Sequence, residues 1–329
     1  MRAFRIHRHD DQIQSRFEQM DQSELSDGEV LIRVRYSSVN FKDALAATGR
    51  GAILRRFPLV GGIDLAGRVE SSKDDRWQAG DEVLVCGAGL SETRDGGYAE
   101  FARVPSDAPV KLPDGLSARD AMIIGTAGMT AAVAIDRLER NGLKPGGAPV
   151  AVTGATGGVG SVAIDVLATL GYDVLAISGK TDATDYLKTL GAREIVDRNS
   201  LEASRRPLEA ARFAAAIDNL GGEPLAWLLP RMRPEAGIAA IGLAASPALK
   251  TTVMPFILRG VSLIGINTVG LDSEYRESIW SRLGAEWRPR QLNRILDREV
   301  AFDDLASAFD DLMAGGVTGR RIVAIDPNF

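Results

Sequence analysis

Val30, Ile32, Val34 and Tyr36 alternate with Leu31, Arg33 and Arg35, a period of two that predicts a strand with one buried face. Two further runs, 80–85 and 98–104, lie between glycine-rich turns and read as strands, and Lys111-Leu112-Pro113-Asp114 reads as a strand end entering a loop. The first third is therefore expected to form a small β-barrel. From residue 117 the period changes: Ser117 offers an N-cap, and Ile124, Met129, Ala132, Val133 and Leu138 recur at helical spacing as far as Arg140. Strand and helix then alternate, with strands at 150–153, 174–177, 195–196, 213–218, 237–242 and 261–266 and helices at 158–170, 182–190 and 223–232. That alternation predicts a doubly wound parallel sheet, and six strands predict the order 3-2-1-4-5-6. After residue 268 a polar helix is expected over 273–296. An amphipathic helix should follow through Phe302, Leu305, Ala308, Phe309 and Leu312, stopped by Gly315-Gly316. A last strand, 321–325, has no neighbour left in a six-stranded sheet and is expected to return to the first domain. The α/β chain is thus expected to divide into a discontinuous domain of residues 1–120 and 270–329 and a nucleotide domain of residues 121–269.

Composition narrows the function. The 329 residues are 45% hydrophobic and 25% charged with a net charge of −5, which describes an ordinary globular protein without the basic field that nucleic-acid binding needs. One cysteine, Cys86, excludes an intrachain disulfide, and the opening MRAFRIHRHD carries charge where a signal peptide has an apolar run, so a cytoplasmic protein is expected. The longest uncharged stretch, 145–164, is interrupted by glycine and proline and does not read as a membrane span. Cys86, His7 and His9 are too few to build a Cys/His zinc site. Cys86 itself reads as a small buried hydrophobe, with no nearby histidine to activate it.

The chemistry concentrates in one motif. Val150-Ala151-Val152-Thr153 runs directly into Gly154-Ala155-Thr156-Gly157-Gly158-Val159-Gly160 and then a helix, the strand–turn–helix context that a dinucleotide fingerprint requires. Gly154 suits the tight turn, Gly157 the approach of the pyrophosphate, and Gly160 the close packing of helix on strand, with phosphate at the helix N-terminus. At the tip of the second strand stand Ile177-Ser178-Gly179-Lys180, with no carboxylate to bond a ribose 2′-hydroxyl. Ser178 and Lys180 instead offer a donor and a positive charge, which favours NADPH over NADH. Asp182 either caps the following helix or competes for the ribose.

The chain resembles the zinc-free medium-chain dehydrogenase/reductase superfamily, and within it the acrylyl-CoA reductase family, which is quinone oxidoreductase-like. The likeness rests on residues 37–45 (Ser-Ser-Val-Asn-Phe-Lys-Asp-Ala-Leu), 61–67 (Gly-Gly-Ile-Asp-Leu-Ala-Gly), 125–131 (Gly-Thr-Ala-Gly-Met-Thr-Ala), the glycine fingerprint, and 251–260 (Thr-Thr-Val-Met-Pro-Phe-Ile-Leu-Arg-Gly). The resemblance implies a GroES-like catalytic domain beside a Rossmann domain, a homodimer, and NADPH-dependent reduction of acrylyl-CoA to propanoyl-CoA. It also implies catalytic roles for Asn40, Phe41 and Asp43, and cofactor contacts at Phe41, Thr130, Leu243, Gly265 and Ile266. The family often carries Tyr where this chain has Phe41, a ring that stacks but donates no proton. Two stretches carry net charges of +3 in an acidic chain and could receive CoA phosphates. One holds Arg50, Arg55 and Arg56; the other, 276–298, includes Arg276, Arg288 and Arg298. Solvated surface arginine is the alternative. Two other functions remain open, a quinone or enone reductase and an NADPH-binding protein without turnover.

Overall fold

A computed structural model describes residues 1–10, 12–204, 206–326 and 329. The chain forms two compact units. One comprises Met1–Thr126, Val269–Gly284 and Leu296–Phe329, and the other Ala127–Thr268 and Ala285–Ile295.

In the first unit a seven-stranded sheet is organised around Val30–Val39, which pairs antiparallel with Asp64–Ser72, Phe101–Val104 and Arg320–Ala324. Val30, Ile32 and Val34 are fully buried, as their alternation predicts. A three-stranded sheet of Arg2–His9, Gln12–Gln19 and Leu59–Val60 completes the β-structure. Its core includes Phe4, Tyr98 and Phe309, with ring centroids 5.8–6.3 Å apart. The C-terminal strand Arg320–Ala324 does return to this unit, with Val323 opposite Ser37.

The second unit has the expected parallel sheet. Its strands, Val150–Thr153, Val174–Ser178, Ala192–Asp197, Phe213–Asp218, Met232–Ala240 and Ser262–Gly265, lie in the order 3-2-1-4-5-6. The strand order reverses between the first and fourth strands, where an open α/β sheet binds its ligand.

Two expectations need correction. The stretch 273–296 is not one helix: Ser273–Gly284 ends, and a short turn, Leu292–Ile295, precedes the strand Leu296–Ala301. Gly284 sits so close to Pro113 that a Cβ there would lie 2.4 Å from the ring, and Pro289 further on has no N–H to continue a helix. Residues 285–295 also belong with the second unit rather than with 270–329. The buried carboxylate of Asp165, on the helix Gly158–Thr169, accepts the Gln291 N–H at 2.8 Å, and Leu292 and Ile295 are buried.

The helix Ala118–Arg140 is long and apolar enough to cross a membrane, yet its apolar window is 89% buried inside the protein. It breaks at Gly125, where φ is 51° and ψ is −161°. A Cβ at Gly125 would lie 2.7 Å from Arg320 Nη2, 2.9 Å from Asp64 Oδ2 and 2.9 Å from Ser38 Oγ. Positive φ and close polar neighbours therefore both demand glycine here. Gly125→Ala should lower stability by about 2–4 kcal/mol, combining left-handed strain with overpacking. Denaturant unfolding measures this, and a loss below about 1 kcal/mol would contradict it.

Candidate active site

In the first unit, the strand Val30–Val39 delivers Ser37 and Ser38 to a buried polar cluster just before the helix Phe41–Ala47 begins. Asp43, in the first turn of that helix, reaches back so that its Oδ2 accepts the Asn40 N–H at 3.0 Å and the Asn40 Nδ2 at 3.0 Å. Its Oδ1 accepts the Ile63 N–H at 2.9 Å. Asp64 Oδ2 accepts from Asn40 Nδ2 at 2.9 Å, from the Thr126 N–H at 3.0 Å and from the Ser38 hydroxyl, and Asp64 Oδ1 accepts the Thr126 hydroxyl at 2.5 Å. Arg320 Nη1 donates to Asn40 Oδ1 at 2.9 Å and its Nε to the Ile123 carbonyl at 3.0 Å.

One buried guanidinium thus faces two buried carboxylates, an arrangement viable only when hydrogen bonds replace the lost water. Burial, reinforced by the charge of Asp64, pushes Asp43 up to about 7, against the opposing hydrogen bonds from Asn40 and Ile63. Burial also pulls Arg320 down from the usual arginine value, opposed by Asp64 and Asp43. The Cys86 thiol, fully buried and opposite Asp64 in the strand register, is held well up by burial, consistent with a packing role.

Phe41 behaves differently. It opens the helix 48% exposed, while Asn40 and Asp43 on either side are buried. Asn40 and Asp43 therefore have their hydrogen-bonding capacity turned into the protein, and Phe41 is the member of the predicted trio that faces outward. Of the predicted arginines, Arg50 and Arg55 are exposed, and Arg56 donates to the Ser26 hydroxyl. The second stretch is divided. Arg276 is buried and donates to the Asp107 carbonyl at 2.5 Å, Arg298 pairs with Asp311 at 2.7 Å, and Arg288 falls in the other unit.

The second unit holds the dinucleotide cradle. Gly154 has φ +58°, and a Cβ on Gly160 would lie 2.4 Å from the Gly154 carbonyl, so helix and turn pack as the fingerprint predicts. Gly157, which has no side chain to cap with, is the N-cap of the helix Gly158–Thr169, whose first turn opens with Gly158 and Val159, and Thr156 just before it is buried. A Cβ at Gly157 would meet only the Gly154 carbonyl, at 3.3 Å. A glycine-capped helix N-terminus of this kind fits a pyrophosphate. At the switch point Thr153 Oγ1 donates to Asp218 Oδ1 at 2.6 Å, and Asp218 Oδ2 accepts the Gly221 N–H at 2.8 Å. Burial raises Asp218 above the ordinary carboxylate value.

Ser178 ends the second strand with its hydroxyl oxygen accepting the Lys180 N–H at 3.0 Å, leaving its proton available to donate. The Arg198 guanidinium lies against Gly179, within 2.9 Å of where a Cβ would stand. Arg198 also lines a cavity of about 900 Å³ with Trp227, Ser246 and Lys250. Asp182 lies in a short helical turn, Thr181–Ala183. Thr130 and Thr268 share a hydrogen bond at 3.3 Å, Leu243 is exposed, and Gly265 ends the sixth strand, after which the Ile266 N–H bonds the Ala240 carbonyl at 3.0 Å.

Comparison with known proteins accords with both halves. Residues 26–114 match the family described as alcohol dehydrogenase GroES-like domain, and 158–284 that described as zinc-binding dehydrogenase. Acrylyl-CoA reductase AcuI of Ruegeria pomeroyi is 43% identical over 95% of each chain. YhfP of Bacillus subtilis, named as a quinone oxidoreductase, is 44% identical over 90% of each. The yhdH oxidoreductase of Salmonella enterica, solved with NADP, superimposes with a TM-score of 0.95 at 44% identity, covering 99% of this chain and 100% of that one. The chain belongs to the medium-chain dehydrogenase/reductase superfamily. Within it, the chain is an oxidoreductase of the group that includes the acrylyl-CoA reductases and YhfP. The solved YhfP structure holds NAD, at a TM-score of 0.95 and 42% identity over 98% of each chain.

For this reductase several partners escape a reading of the sequence. Asp64 stands in Gly61-Gly62-Ile63-Asp64, a lone acid among glycines and apolar residues at a strand start, which was a usable signal. Asp218 likewise ends an apolar strand. Arg198 adjoins the tip of the third strand, beside Ser178 in the sheet. Arg320 gives no sequence signal, because 280 residues separate it from Asn40.

The raised Asp43 has a consequence for stability. Between the unfolded value near 3.8 and about 7, the folded protein keeps a proton that the unfolded chain has lost. This contribution is therefore complete below about 3.8 and disappears as pH rises through about 7. The stability difference between wild type and Asp43→Asn should fall from pH 4 to pH 7 and level off above. Urea unfolding across that range would show it, and a pH-independent difference would contradict it.

Proposed function

We propose that the chain is an NADPH-dependent reductase of α,β-unsaturated acyl-CoA thioesters, converting acrylyl-CoA to propanoyl-CoA. NADPH, when bound, supplies the hydride that the β-carbon receives, and the α-carbon takes a proton. Ser178 and Lys180 flank Gly179 at the second strand's tip and the Arg198 guanidinium lies against Gly179, so a hydroxyl and two cationic residues stand there with no carboxylate in residues 177–180. This favours a 2′-phosphate. Asp197 lies beside Ser178 in the sheet, but its carboxylate is turned onto the Asn199 N–H at 2.9 Å.

Phe41 offers a flat apolar face for a planar ring or enoyl group, and since it has no hydroxyl, the α-carbon proton comes from water or another acid. Asn40 and Asp43, saturated by buried partners, act by fixing the start of the Phe41–Ala47 helix. The observation that carries the thioester over a quinone is the exposure of Arg50 and Arg55 just after that helix, in a chain of net charge −5. Binding energy from the CoA phosphates, remote from the alkene, then serves orientation as well as affinity. AcuI at 43% identity supports this substrate class, and YhfP keeps a quinone as the competing outcome of the test.

The sixth strand Ser262–Gly265 is a sheet edge with Leu263 exposed on it, and Val253, Ile257 and Leu258 in the segment leading into it are exposed as well. Such an apolar edge needs cover, and a second copy of the chain paired along it supplies that cover. Ile257→Glu should convert a dimer to a monomer in analytical ultracentrifugation; an unchanged dimer would place the interface elsewhere.

Steady-state kinetics test the substrate and cofactor together. Arg50→Ala and Arg55→Ala should cut kcat/KM for acrylyl-CoA by roughly ten- to 150-fold, the worth of a charge-assisted hydrogen bond of ~1.5–3 kcal/mol. Efficiency with a small quinone should stay nearly constant. Arg56→Ala should do less, because its guanidinium already donates to the Ser26 hydroxyl. Lys180→Ala and Arg198→Ala should raise KM for NADPH far more than for NADH. Equal losses on both substrates, or on both cofactors, would overturn the assignment.

A further inference from the structure

Residues 87–95 form a loop that the roles above leave unused. Ala88 and Ser91 both adopt left-handed backbone, at φ 50° and 58°, though neither is glycine. The Ser91 hydroxyl and Arg94 Nε are buried without a hydrogen-bond partner. Strained backbone and unpaired polar atoms persist only where the surroundings impose them, and they concentrate at functional segments. The loop is anchored at its far end by Asp95, whose carboxylate accepts the Ser26 N–H at 2.8 Å, the Ser26 hydroxyl at 2.7 Å and the Val60 N–H at 2.8 Å. Between the strained Ser91 and this anchor lies Glu92. Its carboxylate pairs with Lys42, the residue after Phe41, and its carbonyl accepts the Arg55 N–H at 2.7 Å.

We propose that Glu92 is a positioning residue of the active site. It ties the Phe41–Lys42 start of the helix to the Arg55 backbone, so that the exposed ring and the exposed arginines engage one substrate molecule in a fixed arrangement. The inference rests on the acyl-CoA reading for its substrate, but the tie itself does not depend on it. The Lys42 and Glu92 side chains are partly buried, 31% and 18% exposed, so solvent still screens the pair and its share of global stability is modest. Loss of the pair should therefore be felt in substrate binding rather than in folding.

Glu92→Gln, Lys42→Met and the double variant test this in the full-length protein with acrylyl-CoA and with an acrylyl thioester of N-acetylcysteamine, which lacks the nucleotide. Glu92→Gln should raise KM for acrylyl-CoA about tenfold while changing kcat less than threefold and leaving Tm and the Kd for NADPH unchanged. Lys42→Met should match it, and the double variant should be no worse than either single. The truncated thioester should lose no more than about threefold in KM. Hydrogen exchange of the substrate-free protein should quicken over residues 41–56. Unchanged KM with unchanged exchange would overturn the proposal, as would equal losses on both thioesters accompanied by a lower Tm, the signature of a structural role alone. If wild type turns over a quinone but no acyl-CoA, the substrate reading has failed; exchange over 41–56 that is then the same in Glu92→Gln as in wild type would overturn the tie as well.

Discussion

The first unit depends on the Asp64 carboxylate. Fully buried, it accepts hydrogen bonds from Ser38, Asn40 and Thr126. Those donors come from two of the chain's most distinctive segments, 37–45 and 125–131, and Asp64 itself stands in a third, 61–67, so one carboxylate joins all three. Arg320 closes the set from the C-terminal strand through Asn40. Removing any one member leaves another buried polar group without a partner, and that penalty exceeds the net worth of the bond. The network therefore fixes where the Phe41 helix starts and why Gly125 must bend the long helix, while its own side chains stay inside the protein.

The two units divide the chemistry. The second offers a helix N-terminus capped by a glycine, a switch point where Thr153 bonds Asp218, and the Arg198 guanidinium against Gly179 at the tip of the second strand. The first offers an outward aromatic ring, exposed arginines and a strained loop held by Glu92. Conjugate reduction asks for this kind of equipment: a positioned hydride donor, a planar surface for the enoyl group, and distant binding energy to orient it.

Much of this was legible in the sequence because it is local. Period-two alternation placed Val30–Val39, the change to helical spacing marked the helix from 118, and the strand–turn–helix run located Gly154 to Gly160 and the strand order. Long-range satisfaction was not legible. Arg320 and Asn40 meet across 280 residues, Arg198 reaches Gly179 only because their strands are neighbours, and Asp165 recruits 285–295 to the second unit through one backbone N–H. Charge counting also misled: Arg276 counts towards a basic stretch, yet it is buried against the Asp107 carbonyl. A net charge says nothing about which arginines remain available.

The central claim is conjugate reduction of an acyl-CoA, and isotope placement addresses it directly. Acrylyl-CoA should be incubated with NADPH deuterated at both C4 positions in ordinary water, and in a parallel reaction with unlabelled NADPH in D2O, with the product analysed by mass spectrometry and NMR. The account predicts propanoyl-CoA with one deuterium at the β-carbon in the first reaction and one at the α-carbon in the second. Failure to form propanoyl-CoA while NADPH is oxidised efficiently by a quinone, or cofactor deuterium at the α-carbon, would contradict it.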